Sequence, residues 1–230
     1  MKKILSVLLC LALFLSIVPV GAILVRAETY SGKCGDNVFW EYNKLTATLT
    51  ISGKGEMYNY TRNYTTNNNI YTAGGYYTTA PWWKYYNDAK KIIFNNGVTT
   101  IGSWSFYSFV NVVSISLPNT LERINDRAFH CAYGVKNIIL PRFVVYIGDY
   151  AFDGCVSLEN IKIPGNIKSL NVGAFHWCLS LKSVEFENGC EDIGQFCFNN
   201  CTELSSIILP NSIKSIGYYA FCRSKPLIPY

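Results

Sequence analysis

Beyond residue 27 the chain carries eight cysteines, Cys34, Cys131, Cys155, Cys178, Cys190, Cys197, Cys201 and Cys222, and two histidines, His130 and His176. These side chains could serve as nucleophiles, metal ligands or disulfide partners, so their spacing is weighed first. No CxxC pair occurs, and Cys and His lie close in sequence only at His130-Cys131 and His176-Trp177-Cys178. A Cys178/His176 nucleophile pair needs a third group to orient the imidazole, and no acid is placed with it. The two histidines each follow a Phe directly and are two repeats apart, which puts them roughly 10 Å from one another, too far to share one metal. Asp153 and Asp192 have no acid partner for paired-carboxylate chemistry. No Ser/His/Asp set and no phosphate-cradling Gly loop is present. The residues that could do chemistry therefore predict no catalytic site, no metal site and no cofactor. The thiols are expected to pack as small buried hydrophobes. Cys155→Ser should then cost more stability than Cys155→Ala, because it buries a hydroxyl.

What positions these residues is a repeat. Cys155, Cys178 and Cys201 are 23 residues apart, and so are Phe106, Phe129, Phe152, Phe175, Phe198 and Phe221. The residue before each Phe is small: Ser105, Ala128, Ala151, Ala174, Cys197 and Ala220. Ile or Leu recurs at Ile101, Ile124, Ile147, Leu170, Ile193 and Ile216. A worn earlier copy, with Trp83, Ile92, Phe94 and Val98, keeps the same register. In the copy Leu158-x-x-Ile161-x-Ile163-Pro164, the two Ile point to one side of a short strand, and Pro164, which has no N–H for a ladder, ends it. Ile167 and Leu170 turn back into the same interior, the Gly before Ala-Phe permits a tight bend with positive φ, the small residue lets backbone approach, and Phe175 fills the centre of the coil. A single 23-residue copy buries too little apolar surface to offset its ordering entropy, so the copies must stack. The pattern predicts a mainly β repeat solenoid, a right-handed coil of 23-residue rungs with short parallel strands.

The skeleton Leu158-x-x-Ile161-x-Ile163-Pro164-x-x-Ile167-x-x-Leu170-x-x-x-Ala174-Phe175-x-x-Cys178 resembles the BspA-like leucine-rich repeat family of bacterial surface proteins. The likeness runs over about residues 83–224, and the segment from Cys34 to Pro81-Trp82 looks like the piece that commonly precedes such repeats. The resemblance implies an exported protein at a cell surface, associated with adhesion to proteins or other cells, and no shared active site. The rung of Phe198 departs from the pattern, with Glu187 for Pro, Cys190 for Ile and Cys197 for Ala.

The organisation expected is a signal peptide at 1–27, an N-terminal β-hairpin cap at 28–57, a Tyr/Asn/Thr-rich loop at 58–80 and a solenoid at 81–230 of about six rungs, the last incomplete. Lys2 and Lys3 precede an acid-free apolar run that ends at Val25-Arg26-Ala27, as in a secretory leader. Removing Lys2, Lys3 and Arg26 lowers the formal charge from +5 to +2 over 203 remaining residues. That balance leaves no nucleic-acid footprint and no polybasic membrane patch, and no second apolar segment is long enough to span a bilayer after cleavage. The strands Val38–Tyr42 and Leu45–Ile51 flank a turn at Asn43-Lys44. The C-terminus carries no polar capping repeat, LPxTG-like motif or apolar tail, so the chain is either weakly capped by Pro226 and Pro229 or a fragment of something longer.

Outward strand positions form two columns that could bind a ligand: Lys91, Ser114, Asn137, Asn160, Ser183 and Ser206, and beside them Ile93, Ser116, Ile139, Lys162, Glu185 and Ile208. At ~4.8 Å per rung the columns span roughly 24 Å, enough for a peptide or short glycan. Tyr64, Tyr71, Tyr76 and Tyr77 are the corresponding candidates in the loop, since Tyr offers large contact area at low entropic cost. The function expected is a non-enzymatic, secreted or cell-surface binding module for a protein or glycan, acting through the strand face. The alternative is a structural scaffold region of a larger surface protein. Oligomeric state is not legible.

Overall fold

The protein, seen in a computed structural model, is described over residues 27–64 and 76–225. The leader expected at 1–27 lies outside the described residues except for Ala27, and so do Tyr71, Pro226 and Pro229. The expected solenoid is there. With one exception, each 23-residue rung supplies a strand to one parallel sheet, a shorter strand to a second, and a turn centred on its Phe.

The first sheet runs through Lys91–Phe94 and Ser114–Ser116, and again through Asn160–Ile163, Ser183–Phe186 and Ser206–Ile208. Its register steps by one repeat, Asn160↔Ser183↔Ser206. Between the two stretches, the strand expected at Ile138–Leu140 is irregular and joins only through the single bridge Asn137↔Asn160. Ile138 and Leu140 are still buried where the pattern puts them. The second sheet, which the sequence reading treated only as inward-pointing turns, contains Val98–Ile101, Arg123–Ile124 and Tyr146–Ile147, then Ser169–Leu170, Asp192–Ile193 and Ser215–Ile216. Most of these strands are two residues long, with the recurring Ile or Leu as the inward member.

The Phe-centred turns form a third set of contacts between rungs. Phe106, Phe129, Phe152, Phe175 and Phe198 are all but fully buried, and successive rings from Phe106 to Phe221 stack at 5.2–5.5 Å within 15° of parallel. The stack begins one residue earlier than the repeat register suggests. Trp82, fully buried, lies 5.6 Å from Phe106 at 22° and donates its indole N–H to the Ser105 carbonyl at 2.8 Å, while Trp83 is half-buried. The short 3₁₀ turn Trp83–Tyr85 places Trp82 there instead.

The small residue before each Phe permits the next rung's backbone to bond directly: the N–H of Phe129 donates to Ala151, of Phe152 to Ala174 and of Phe175 to Cys197, at 2.8–2.9 Å. Positive φ was expected at the Gly before Ala-Phe, and Gly173 adopts it at +60°. It recurs at the same place, two residues before each Phe, at the non-Gly residues Trp104, Arg127, Tyr150, Phe196 and Tyr219, with φ of 55–56°. A non-Gly residue in this region costs about 1–2 kcal/mol. Trp104, Arg127, Tyr150 and Phe196 each donate their N–H to the next rung, as Tyr150 does to Val172 at 2.8 Å, which offsets the strain. The glycines after Ile serve close approach: a Cβ on Gly148 would sit 2.6 Å from the Asp126 backbone nitrogen.

The cap is larger than a hairpin. Thr29–Lys33, Val38–Asn43 and Thr48–Gly53 form an antiparallel three-stranded sheet, and its last strand pairs in parallel with Lys91–Phe94. The cap thus continues the first sheet, with Leu49 opposite Ile92 and Ile51 opposite Phe94. The turn spans residues 44–47 and is held by the Asn43 side-chain oxygen, which accepts the Thr46 N–H at 3.0 Å. The described ends of the 58–80 segment pair as Arg62–Tyr64 against Tyr76–Thr78. They are tied to the solenoid: the Asn59 side-chain oxygen accepts the Ser103 N–H at 2.8 Å and the Asn125 amide at 2.9 Å.

Candidate functional site

The two outward columns lie at the surface, although Ile139 sits where the strand is irregular. Lys91, Ser114, Ser116, Asn137, Ile139, Asn160, Lys162, Glu185 and Ile208 are exposed, and Ile93, Ser183 and Ser206 are half-buried. Much of its polarity is already spent within the chain. Lys162 Nζ lies 3.0 Å from Glu185 and 3.3 Å from Glu187, and these carboxylates hold its pKa above the usual lysine value. The Ser183 hydroxyl donates to Asn160 Oδ1 at 2.6 Å. Ile139 is the more exposed of the two exposed isoleucines on this face, at 86% against 59% for Ile208, and it borders a depression of about 250 Å³ with Arg142, Lys162 and Glu187 around it.

Of the loop candidates, Tyr76 lies under the Arg62 guanidinium at 4.4 Å, and Arg62 also reaches Trp104 at 5.1 Å. Tyr77 packs 5.8 Å from Trp83. Tyr64 contributes backbone to the hairpin opposite Tyr76.

One cluster was missed by the sequence reading. The position just after each Phe is a column of its own, and in three consecutive rungs it holds His130, Asp153 and His176. Asp153 sits between the two histidines. His176 Nδ1 is hydrogen-bonded to its Oδ1 at 3.0 Å, and His130 Nδ1 is in ionic contact with its Oδ2 at 3.0 Å. The Trp104 and Tyr107 rings pack on His130, and Tyr150 and Trp177 on His176. Burial disfavours the His130 cation, but Asp153, helped by Cys131, outweighs it and raises the pKa to about 9. Burial likewise works against the Asp153 carboxylate, and the two imidazoles more than compensate, so its pKa is lowered. The signal was in the sequence as a 23-residue phase, but the two histidines were compared with each other and not with the residue between them.

The arrangement does not build a nucleophile. Asp153 could orient His176, yet the Cys178 thiol is fully buried and donates to the Phe152 carbonyl at 3.3 Å. Burial raises its pKa well above the ordinary thiol value. All eight described cysteines are unpaired, and six are buried. Among the described residues no group of three or more His, Cys, Asp or Glu side chains is placed to hold a metal ion, and no helix is long and apolar enough to cross a membrane.

The family described as BspA type leucine rich repeat region matches the chain over residues 83–175 and 125–228, in six copies. Among solved structures, a leucine-rich repeat protein of T. pallidum aligns at TM-score 0.58 and 20% identity over 77% of this chain and 82% of that one. A leucine-rich repeat protein from Bacteroides ovatus aligns at TM-score 0.49 and 20% identity over 84% of this chain and 57% of that one. A leucine-rich cell surface protein from Faecalibacterium prausnitzii gives TM-score 0.43 and 19% identity, over 86% of this chain and 47% of that one. At 20% identity the likeness to the T. pallidum protein is one of fold. No curated protein matches the chain.

Proposed function

This chain belongs to the BspA-type leucine-rich repeat proteins, and on that footing we propose that it is a non-enzymatic, secreted or cell-surface binding module that recognises a protein or glycan through the face of its first sheet. Solenoids expose long, regular faces suited to such contacts. The observation that carries the reading is Ile139. It stands 86% exposed next to a shallow depression and is framed by Arg142 and by Lys162 with its carboxylate partners. An apolar side chain ringed by charged groups is the usual anatomy of an interface centre, with the ring excluding water once a partner docks. The ion pairs hold the rim side chains in place before binding, which lowers the entropy lost on association.

The test is binding of the purified chain to an immobilised panel of matrix proteins and glycans, beside an Ile139→Asp variant and a Lys162→Glu/Glu185→Lys exchange. Binding by the parent that Ile139→Asp abolishes, with the melting temperature unchanged, supports the first-sheet face. Binding that all variants retain moves the site elsewhere. No binding to any member of the panel favours a scaffold region of a larger surface protein.

A further inference from the structure

The second sheet meets the cap in a cleft of about 620 Å³. Its floor is apolar, built from the backbone of Gly55 and Gly97 and from the side chains of Phe143 and Val145, which stay 47% and 50% exposed. Arg142 stacks its guanidinium 4.6 Å from the centre of the Phe143 ring, fixing the ring's position.

The repeat supplies its own control for these two residues. The positions equivalent to Phe143 in other rungs are Gly97, Thr120, Asn166, Gly189 and Ser212; those equivalent to Val145 are Thr99, Glu122, Lys168, Glu191 and Lys214. The fold therefore does not ask for an apolar residue at either place. Two large apolar side chains nonetheless stand side by side on one rung, where a cleft opens. The charges follow the same contrast. Further along this sheet Lys168 and Lys214 both pair with Glu191. Lys54 and Glu122, the two charged residues of the cleft, make no ion pair among the described residues. The Thr120 hydroxyl is committed to backbone, accepting the Gly97 N–H at 2.9 Å and donating to the Val98 carbonyl at 2.8 Å. Thr99 and Asn119 are the other neutral polar side chains of the lining; the floor itself offers a sugar little hydrogen bonding, whereas an apolar side chain would lose only water there.

We propose that this cleft binds an extended peptide segment of a partner protein, which inserts one large apolar side chain against Phe143 and Val145 between an acidic residue facing Lys54 and a basic residue facing Glu122. The site lies on the second sheet; Arg142 touches both Phe143 and the Ile139 depression, and since none of the substitutions tested alters Arg142 the two sites are tested separately.

Fluorescence anisotropy tests it with labelled heptapeptides that have a central Leu or Phe flanked by Glu and Lys in either order, and Gly elsewhere. Phe143→Asn and Val145→Lys introduce residues that other rungs already hold at those positions, so the variants should keep the parent's melting temperature. The expected result is binding of the apolar-centred peptides by the parent, weakened roughly tenfold or more by a central Ser or by either variant. Lys54→Glu should abolish the preference between the two flanking orders, because both ends of the cleft then favour a basic residue, the double exchange Lys54→Glu/Glu122→Lys should reverse it, and Ile139→Asp should change nothing. The proposal is overturned if the parent binds none of the peptides, if binding is indifferent to Phe143→Asn, or if Ile139→Asp alone removes it. Glycan binding that depends on Phe143, with peptides inactive, would also overturn it and make the cleft a sugar site.

Discussion

The thiol of Cys178 donates to the carbonyl oxygen of Phe152 in the preceding rung, 3.3 Å away. Cys155 does the same to Phe129 at 3.4 Å and Cys201 to Phe175 at 3.2 Å. The same column ends in Ser224, whose hydroxyl donates to Phe198 at 3.4 Å, and holds Ala132 in an earlier rung. Burial pushes these thiols up, that of Cys201 to about 12, so they remain protonated donors at neutral pH. This changes the expectation for substitution. A serine at this position keeps a donor and a ready acceptor, so its hydroxyl is not buried unpaired. Cys155→Ser should cost no more than Cys155→Ala, each about 1–2 kcal/mol in urea unfolding. A serine variant several kcal/mol worse than the alanine variant would refute the donor role. Since all eight described cysteines are unpaired, a reductant should leave the melting temperature unchanged.

The acid clip between His130, Asp153 and His176 makes stability depend on pH. The folded-state pKa of His130 is raised to about 9, above its unfolded value of about 6.5. Its contribution is then complete below about pH 6.5 and is lost as pH rises through about 9, on the order of 3 kcal/mol across that window. Asp153 behaves oppositely: its pKa is lowered, so its contribution is present above the unfolded carboxyl value and lost as pH falls through the folded one. The groups facing His130 are Trp104, Tyr107, Cys131 and Asp153. Melting temperature measured from pH 5 to pH 10 should fall more steeply above pH 7 for the parent than for His130→Gln. Parallel curves for the two proteins would show that the clip does not titrate in this range.

Legibility of the fold followed the strength of each periodic signal. The Phe column and the small residue before it were plain because one bulky ring per turn is needed to fill the coil, and a spacing of 23 repeats it six times. The second sheet was harder to see. A strand such as Arg123–Ile124 is two residues long, too short to show the alternation by which strands are read. Positive φ was legible at the Gly before Ala-Phe, where Gly173 adopts it, but not at Arg127, Tyr150 and Phe196 in the same place of other rungs, where ladder bonds between rungs hold it and no single rung's sequence displays them. For the candidate site, the outward columns were readable from strand alternation. The clefts were not, because they arise where elements distant in sequence meet: Gly55 of the cap lies beside Phe143.

Gly148 offers a test of close approach between rungs. A Cβ there would stand 2.3 Å from Asp126 Oδ1 and 2.6 Å from the Asp126 backbone nitrogen. The carboxylate could swing aside, but it also accepts the Asp149 N–H at 3.0 Å, and the backbone nitrogen cannot move without shifting the rung. Gly148→Ala should therefore destabilise by roughly 1–3 kcal/mol, as overpacking does in other tight sites. Gly154→Ala meets a milder obstacle. Its nearest neighbour, Cys131 Sγ, is 3.3 Å away, and its φ of +71° is one that Cys131 and Trp177 accept at the same place in adjoining rungs. About 1 kcal/mol is expected. Urea unfolding of both variants should rank Gly148→Ala as the worse, and the reverse ranking would count against close packing at Gly148.

Trp82 and Trp83 give a sharper contrast, because the repeat register and the structure choose different residues. Counting back 23 from Phe106 gives Trp83, but the ring that closes the stack is Trp82. It is fully buried, meets Trp40 and Tyr60 edge-on, and carries a satisfied indole N–H. Trp83 is half-buried and stacks on Tyr86 at 5.0 Å. Trp82→Ala removes the aromatic contact between cap and solenoid, beside the strand pairing that also joins them, and leaves the Ser105 carbonyl without that donor; a loss of about 3–5 kcal/mol is expected. Trp83→Ala exposes a surface pair and should cost about 1 kcal/mol. If Trp83→Ala proves the more damaging in thermal unfolding, the stack begins where the repeat register puts it, and the cap meets the first rung through Trp83.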